Sequence, residues 1–145
     1  MTAVATRLPE PLRAPLLVGA GGVGAAFVAI AARRDFFETL VIADYDLGRA
    51  EKARDSQGGD GRFVAAQVDA SSADSVAALA REHGCTHVMN AVDPRFVMPI
   101  FDGAFAAGAD YLDMAMSLSR PHPERPQYLG APRCAAGPGA SRRVR

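Results

Sequence analysis

Leu16-Leu17-Val18-Gly19-Ala20-Gly21-Gly22-Val23-Gly24 is the stretch whose reading decides the fold. A short apolar run ends at a glycine, a G-x-G-x-x-G pattern follows, and an alanine-rich segment from Ala25 to Arg34 suits a helix. The next β-branched, apolar run, Thr39-Leu40-Val41-Ile42-Ala43, ends at Asp44, which lies twenty positions beyond Gly24. Strand, glycine turn, helix, strand and acid at that spacing form a dinucleotide-binding fingerprint. The glycines have different tasks. Gly19 permits a tight turn out of the strand, and Gly21 removes a Cβ so that backbone N–H groups can approach a pyrophosphate. Gly24 lets the helix pack closely on the sheet. The unpaired N–H groups and the dipole at the helix start then favour the anion. Without its flanks the same motif would be only a glycine-rich turn.

The pattern repeats outward from this stretch. Leu47 to Asp55 has helical propensity, Gln57 to Gly61 is a turn, and Phe63 to Val68 reads as a third strand. Ser71 or Ser72 caps a helix running to Glu82, with apolar positions at Val76, Leu79 and Ala80. Thr86 to Met89 is a fourth strand, Phe96 to Ala107 a fourth helix and Ala109 to Leu112 a fifth strand. Continuous apolar strands alternating with helices mark βαβ units. The expected fold is α/β, a Rossmann-type doubly wound parallel sheet with strands buried on both faces.

Composition bounds the chain further. The 145 residues carry sixteen basic and sixteen acidic side chains, but unevenly. Residues 1–118 hold ten basic and fifteen acidic groups, whereas residues 119–145 hold six arginines and only Glu124. Three segments follow: a loose leader over 1–14, a dinucleotide-binding domain over 15–118, and a Pro/Arg/Gly-rich tail over 119–145 that is expected to be disordered. Overall neutrality argues against a nucleic-acid binder. No apolar run approaches the roughly 18–20 residues that span a bilayer, and no secretory leader is evident. Cys85 and Cys134 stand far apart in unlike surroundings, so a reducing, cytoplasmic location is expected.

Further candidates lie at strand ends, since ligands of open α/β sheets bind beyond the carboxyl ends of the strands. Asp44 is placed to accept hydrogen bonds from ribose hydroxyls, and a carboxylate there repels a 2′-phosphate. The balance therefore tips toward NAD over NADP. Arg49 is the nearest cation; it is within reach of a phosphate, but is expected to face solvent. Asp69 reaches the adenine or caps the next helix. Asn90, Ala91 and Val92 lie near the cofactor's middle, with small side chains allowing close approach. Asp93-Pro94-Arg95 starts the following helix. Asp113 points to where nicotinamide and substrate would meet, or caps a turn. His83-Gly84-Cys85-Thr86-His87 has the look of a metal site, but it sits at the opposite, amino-terminal side of the sheet. It reads as a buried thiol with surface histidines, and no metal is expected.

Five segments together resemble the NAD(P)-binding domain of the saccharopine dehydrogenase family. They are Leu17 to Gly24, Val41 to Asp44, Gln67-Val68-Asp69-Ala70, Met89-Asn90-Ala91-Val92-Asp93-Pro94-Arg95-Phe96, and Tyr111-Leu112-Asp113-Met114. The similarity runs from about Leu16 to Pro126. The family passes hydride between nicotinamide and a C–N bond linking amino-acid skeletons. The resemblance implies Gly19, Gly21, Gly22, Val23, Gly24, Asp44 and Asp69 as cofactor positions, with Asn90, Ala91 and Val92 nearby. Catalytic residues are left unassigned. Family members continue into a larger α/β domain that supplies the substrate pocket, and the residues from about Gln127 resemble no segment of the family. The expectation is a truncated or frameshifted chain that retains the cofactor half and is inactive alone. An amino-acid-derived substrate is then expected only with the missing domain supplied. Two other readings are a stand-alone Rossmann nucleotide-sensing regulator, and a small reductase completed as a homodimer.

Overall fold

The structure, a computed structural model, describes residues 11–114. The tail expected over 119–145, with Cys134, lies outside the described residues, as does most of the leader. Alternation of strand and helix runs through the rest. In order come β1 (Pro15–Val18), α1 (Gly22–Ala31), β2 (Leu40–Asp44), α2 (Leu47–Asp55), β3 (Phe63–Gln67), α3 (Ala73–Glu82) and β4 (His87–Asn90). A 3-10 turn (Pro94–Phe96), α4 (Val97–Ala107) and β5 (Asp110–Asp113) complete it. The five strands make one sheet in the order β3-β2-β1-β4-β5, with every neighbouring pair parallel.

The apolar runs explain the layering. Successive side chains of a strand point to opposite faces. Leu16 and Val18 therefore join Val41, Ala43, Val88, Val76 and Ile100 on one side of the sheet. Leu17 joins Ile42, Met89, Val28 and Ala50 on the other. All residues of β1 and β2 are buried, as expected for central strands covered on both faces. Full burial of a side chain such as Leu17 contributes about 1.5–3 kcal/mol.

Three local differences from the sequence expectation have physical causes. Pro11 to Ala14 are not loose: Leu12 bridges to Phe37 in parallel, its N–H donating to the Phe36 carbonyl at 2.7 Å. The Glu38 N–H donates back to Leu12 at 2.8 Å, and Ala14 is buried. The first helix begins at Gly22 rather than Ala25, because the glycines themselves form its first turn. Edge strand β5 is half-exposed rather than buried on both faces, with Leu112 64% exposed. Among the described residues, the helix that packs on it is α4.

On the α3/α4 side the two helices pack at a glycine. A Cβ on Gly103 would stand 2.7 Å from the Ala73 carbonyl oxygen and 2.7 Å from the Val76 Cβ. Gly103→Val is expected to lower stability by about 1–3 kcal/mol through overpacking, read as a lower urea midpoint at unchanged slope. An unchanged midpoint would show that the helices can separate freely there.

Candidate functional site

The carboxyl ends of β1, β2, β3 and β4 converge on one edge of the sheet, and the glycine turn lies at their centre. Gly19 leaves β1 at a φ of 105°, a region that L side chains rarely adopt. Its N–H donates to the Ala43 carbonyl at 2.7 Å, tying the turn to β2. Gly21 is the N-cap of α1 and carries no side-chain cap. Ala25 N–H closes the first helical bond to the Gly21 carbonyl at 2.8 Å. The N–H groups before Ala25 are the ones a helix cannot pair with itself. A Cβ on Gly21 or Gly22 would meet nothing within 4 Å. Gly21, Gly22 and Val23 are all exposed. Open backbone amides at a helix start form a cradle that an anion can enter.

Gly24 has a different reason to be glycine. A Cβ there would collide with the carbonyl group of Gly19. The tight approach is thus between the helix and the end of its own preceding strand, with Leu17 beneath at 3.7 Å. Gly19 is also packed against Ala91 and Val92, since its Cβ would stand 3.0 Å from the Ala91 carbonyl.

Asp44 is buried, at 7% exposure, and both of its oxygens are engaged. Oδ2 accepts from the Ala20 N–H at 2.8 Å, and Oδ1 accepts from the Asp46 N–H at 3.0 Å. The carboxylate therefore clasps the glycine turn to the end of β2. The cap of α2 is Asp46, whose Oδ1 accepts from the Gly48 N–H at 2.9 Å. Each Asp44 oxygen retains a second lone pair for a hydroxyl.

Beside this carboxylate lies a cleft of about 330 Å³, bounded by Gly19, Asp44, Tyr45, Val68, Asp69 and Val92 among others. Apolar side chains of Val18, Val68, Ala70, Val92 and Phe96 stand there beside polar ones of Asp44, Tyr45, Arg49, Asp69 and Ser71, a combination that suits a planar base and a sugar. Asp69 is exposed on the rim, and Oδ1 accepts from the Ser71 N–H at 2.9 Å and the Ser71 hydroxyl at 2.6 Å. Those bonds hold its carboxyl below the usual range. The cap of α3 is Ser72, whose Oγ accepts from the Ser75 N–H at 3.2 Å. A second cleft, of about 390 Å³, opens between the glycine turn and α2, where Ala20, Gly21 and Gly22 face Arg49, Lys52 and Ser56. Arg49 borders both clefts. Sequence reading put this arginine in solvent. Its side chain is 61% exposed, yet it forms a wall of each cleft. Tyr45, Val68, Ala70 and Phe96 also line the first cleft and were not anticipated. The topology rule for strand ends was the signal available for Val68, which directly follows β3.

Asn90, fully buried, works inside the fold. Its Oδ1 accepts from the Val92 N–H at 3.0 Å, and its Nδ2 donates to the Tyr111 hydroxyl at 3.0 Å. Burial pushes the Tyr111 hydroxyl up to about 12, so it stays neutral at physiological pH. The Ala91 N–H donates to the Val18 carbonyl at 2.8 Å. Asn90 thus fixes the turn that presses Ala91 and Val92 against Gly19. Asp93 caps the 3-10 turn, accepting from the Arg95 N–H at 2.9 Å. Asp113 stands opposite Asn90 in the parallel register of β4 and β5.

The His83 to His87 cluster sits at the other edge of the sheet. Cys85 is buried, and burial pushes its thiol up to about 11. His87 Nε2 lies 3.5 Å from Asp110 Oδ2. Among the described residues no group of three or more His, Cys, Asp or Glu is placed to hold a metal ion, and no helix is long and apolar enough to cross a membrane.

The parallel sheet, its glycine turn and the cleft at its carboxyl edge define a Rossmann-type nucleotide-binding domain. The sequence profile described as "Saccharopine dehydrogenase NADP binding domain" matches residues 16–135, and the chain belongs to that family. The match runs past Pro126, where sequence reading had ended the similarity. No sequence among curated proteins matches the chain. Among solved structures, it is similar to apo saccharopine dehydrogenase (L-Glu forming) from Saccharomyces cerevisiae, with a TM-score of 0.59 at 16% identity over 70% of this chain and 21% of that one. It is also similar to UDP-glucose-4-epimerase from Stenotrophomonas maltophila with bound NAD and formylated UDP-arabinopyranose. There the TM-score is 0.53 at 18% identity, over 70% of this chain and 36% of that one. A short-chain type dehydrogenase/reductase from Mycobacterium ulcerans gives 0.51 at 15% identity, over 79% and 55%. These likenesses establish the fold. The chain spans about a fifth of the length of the yeast saccharopine dehydrogenase.

Proposed function

We propose that this chain binds a nicotinamide dinucleotide along the carboxyl edge of the sheet and serves hydride transfer at an amino-acid C–N bond. The observation that carries the reading is the cradle at Gly21 and Gly22, where a Cβ would meet open space while Gly19 and Gly24 are closely packed. In this reading the amides of Gly21, Gly22 and Val23 receive the pyrophosphate. Asp44 accepts a ribose hydroxyl while holding the Ala20 amide, and the apolar wall at Val68, Val92 and Phe96 packs on the adenine. On charge alone Asp44 favours NAD over NADP. Asn90 acts by fixing the Ala91–Val92 turn against the cofactor's middle. When bound, the dinucleotide supplies the hydride chemistry, and the amino-acid-derived substrate is held by a further domain such as the larger proteins carry. Two cysteines set far apart in unlike surroundings are in keeping with a reducing, cytoplasmic site of action.

Fluorescence titration of the chain with NADH and NADPH tests binding, and turnover is then assayed with saccharopine-like secondary amines. Binding in the micromolar range with no turnover is the expected result for the chain by itself. Failure to bind either dinucleotide would overturn the reading, and turnover by the chain alone would remove the need for a second domain.

A further inference from the structure

We propose that this chain pairs with a second copy of itself, α1 of each lying on the exposed face of β5 of the other. The inference is independent of the dinucleotide reading. No polar side chain occurs among the ten residues of α1, Gly22–Ala31, and a helix apolar all round belongs between two layers. Gly24, Val28 and Ala31 are buried on the sheet, and Ala25 faces α2 across the second cleft. At about 3.6 residues per turn, Val23, Ala26, Phe27 and Ile30 form a stripe on the flank away from α2. Val23 is 46% exposed and Ile30 58%. Beside that flank the sheet presents β5. Tyr111 packs edge-on against Phe101 of α4 on one face. Leu112 therefore points to the other face, level with its register partner Met89, and stands in the open.

Shape, area and charge point to a second copy. Neighbouring strands lie about 5 Å apart, so β4 and β5 extend about 10 Å beyond β1, the width of one helix. The face is a ridge, α1, beside a floor one helix wide. A copy turned about a two-fold axis along the strands sets its ridge on that floor. The stripe and Leu112 together expose about 400 Å² of apolar surface, so a pair buries about 800 Å² before any polar rim, which suits a weak, reversible dimer. The same orientation matches charge. Arg33 and Arg34 follow α1 and are exposed. Arg62, just before β3, donates to the carbonyls of Ala32 and Arg34 at 3.1 and 2.7 Å, which fixes this end at the amino edge of the sheet. Asp110 opens β5 at that edge, its side chain 87% exposed and 3.5 Å from His87. A two-fold axis along the strands keeps the amino edges together, so the arginines of each copy meet Asp110 of the other. The stripe itself carries no charge that would meet its own image.

The test is sedimentation velocity of the full chain as wild type, Ile30→Glu, Asp110→Arg and Phe105→Glu. Phe105 is the control, an apolar side chain as exposed as these but on α4, across the sheet. The wild type is expected to dimerise reversibly with a dissociation constant in the micromolar range. Ile30→Glu sets a carboxylate against the apolar floor and is expected to weaken the dimer at least about tenfold, with unchanged far-UV circular dichroism. Asp110→Arg faces Arg33 and Arg34 and is expected to weaken it about threefold, more at low salt than at high. Phe105→Glu is expected to leave it within about twofold of the wild type. A wild type that stays monomeric at about 200 µM would overturn the proposal and leave the flank of α1 to another segment or another protein. Retention of the dimer by Ile30→Glu, or equal losses in Ile30→Glu and Phe105→Glu, would overturn it too, because association would then run through another face. A dimer of Asp110→Arg as tight as the wild type would overturn the two-fold arrangement.

Discussion

Gly24→Ala is expected to lose both stability and dinucleotide binding, whereas Gly21→Ala should lose only binding. In the first variant the new methyl collides with the carbonyl of Gly19, backbone that no rotamer change can move aside. Either α1 shifts away from the sheet or the turn at Gly19 opens. A shift of the helix disturbs the packing of Val28 and Ala31, and opening of the turn breaks the bond from Gly19 to Ala43. The expected cost is about 2–3 kcal/mol, seen as a lower melting temperature, with a loss of more than about tenfold in NADPH or NADH affinity. In the second variant the methyl enters space empty to 4 Å. Stability should stay within about 1 kcal/mol, while the methyl stands where the pyrophosphate is to approach. Equal melting curves and equal affinities for the two variants would remove the distinction between packed and open glycines.

Removing the Asp44 carboxylate should have the next largest effect. Asp44→Ala leaves the buried Ala20 N–H without its acceptor at 2.8 Å, a loss of about 1–3 kcal/mol. The Asp46 N–H is only part-buried and can turn to water at less cost. Asp44→Asn keeps one acceptor oxygen, so it should retain more stability than the alanine variant. Loss of the ribose acceptor is expected to weaken both dinucleotides about tenfold on top of the structural effect. Calorimetry of the apo chains separates the two contributions, because the clasp on Ala20 is present without ligand. An Asp44→Ala chain with unaltered melting would show that the clasp does not hold the turn.

The same carboxylate shows which parts of the site were legible in the sequence. Spacing from Gly24 to Asp44 located the fingerprint, and the apolar runs located every strand, because a strand buried on both faces has few ways to be written. Spacing says nothing of where a side chain's hydrogen bonds go. Asp44 was readable as a ribose acceptor, but its clasp on Ala20 depends on two strands lying side by side. Asn90 was readable as a cleft residue by position. Strand alternation instead turns it inward, to Val92 and to a tyrosine twenty-one residues away. Arg49 was readable as a surface cation, and exposed it is. That it also forms the wall of two clefts follows from the distance between α2 and the glycine turn, which no local pattern encodes. Glycines are poor helix formers, so the sequence pattern starts α1 at Ala25, yet Gly22 and Gly24 form its first turn, and at Gly24 the nearby Gly19 carbonyl leaves no room for a Cβ.

The strand order also has a consequence for how the chain is made. β1 is synthesised first but lies in the middle, hydrogen-bonded to β2 on one side and to β4 on the other. A nascent chain that has emerged only as far as Glu82 can pair β1 with β2 and β2 with β3, but the other edge of Pro15–Val18 still awaits His87–Asn90. Until then that edge, together with the apolar faces of Leu16 and Val18, is open to any passing strand. Such late, long-range closure slows folding and prolongs exposure to aggregation. Co-translational chaperone protection should therefore matter most between the emergence of β3 and that of β4.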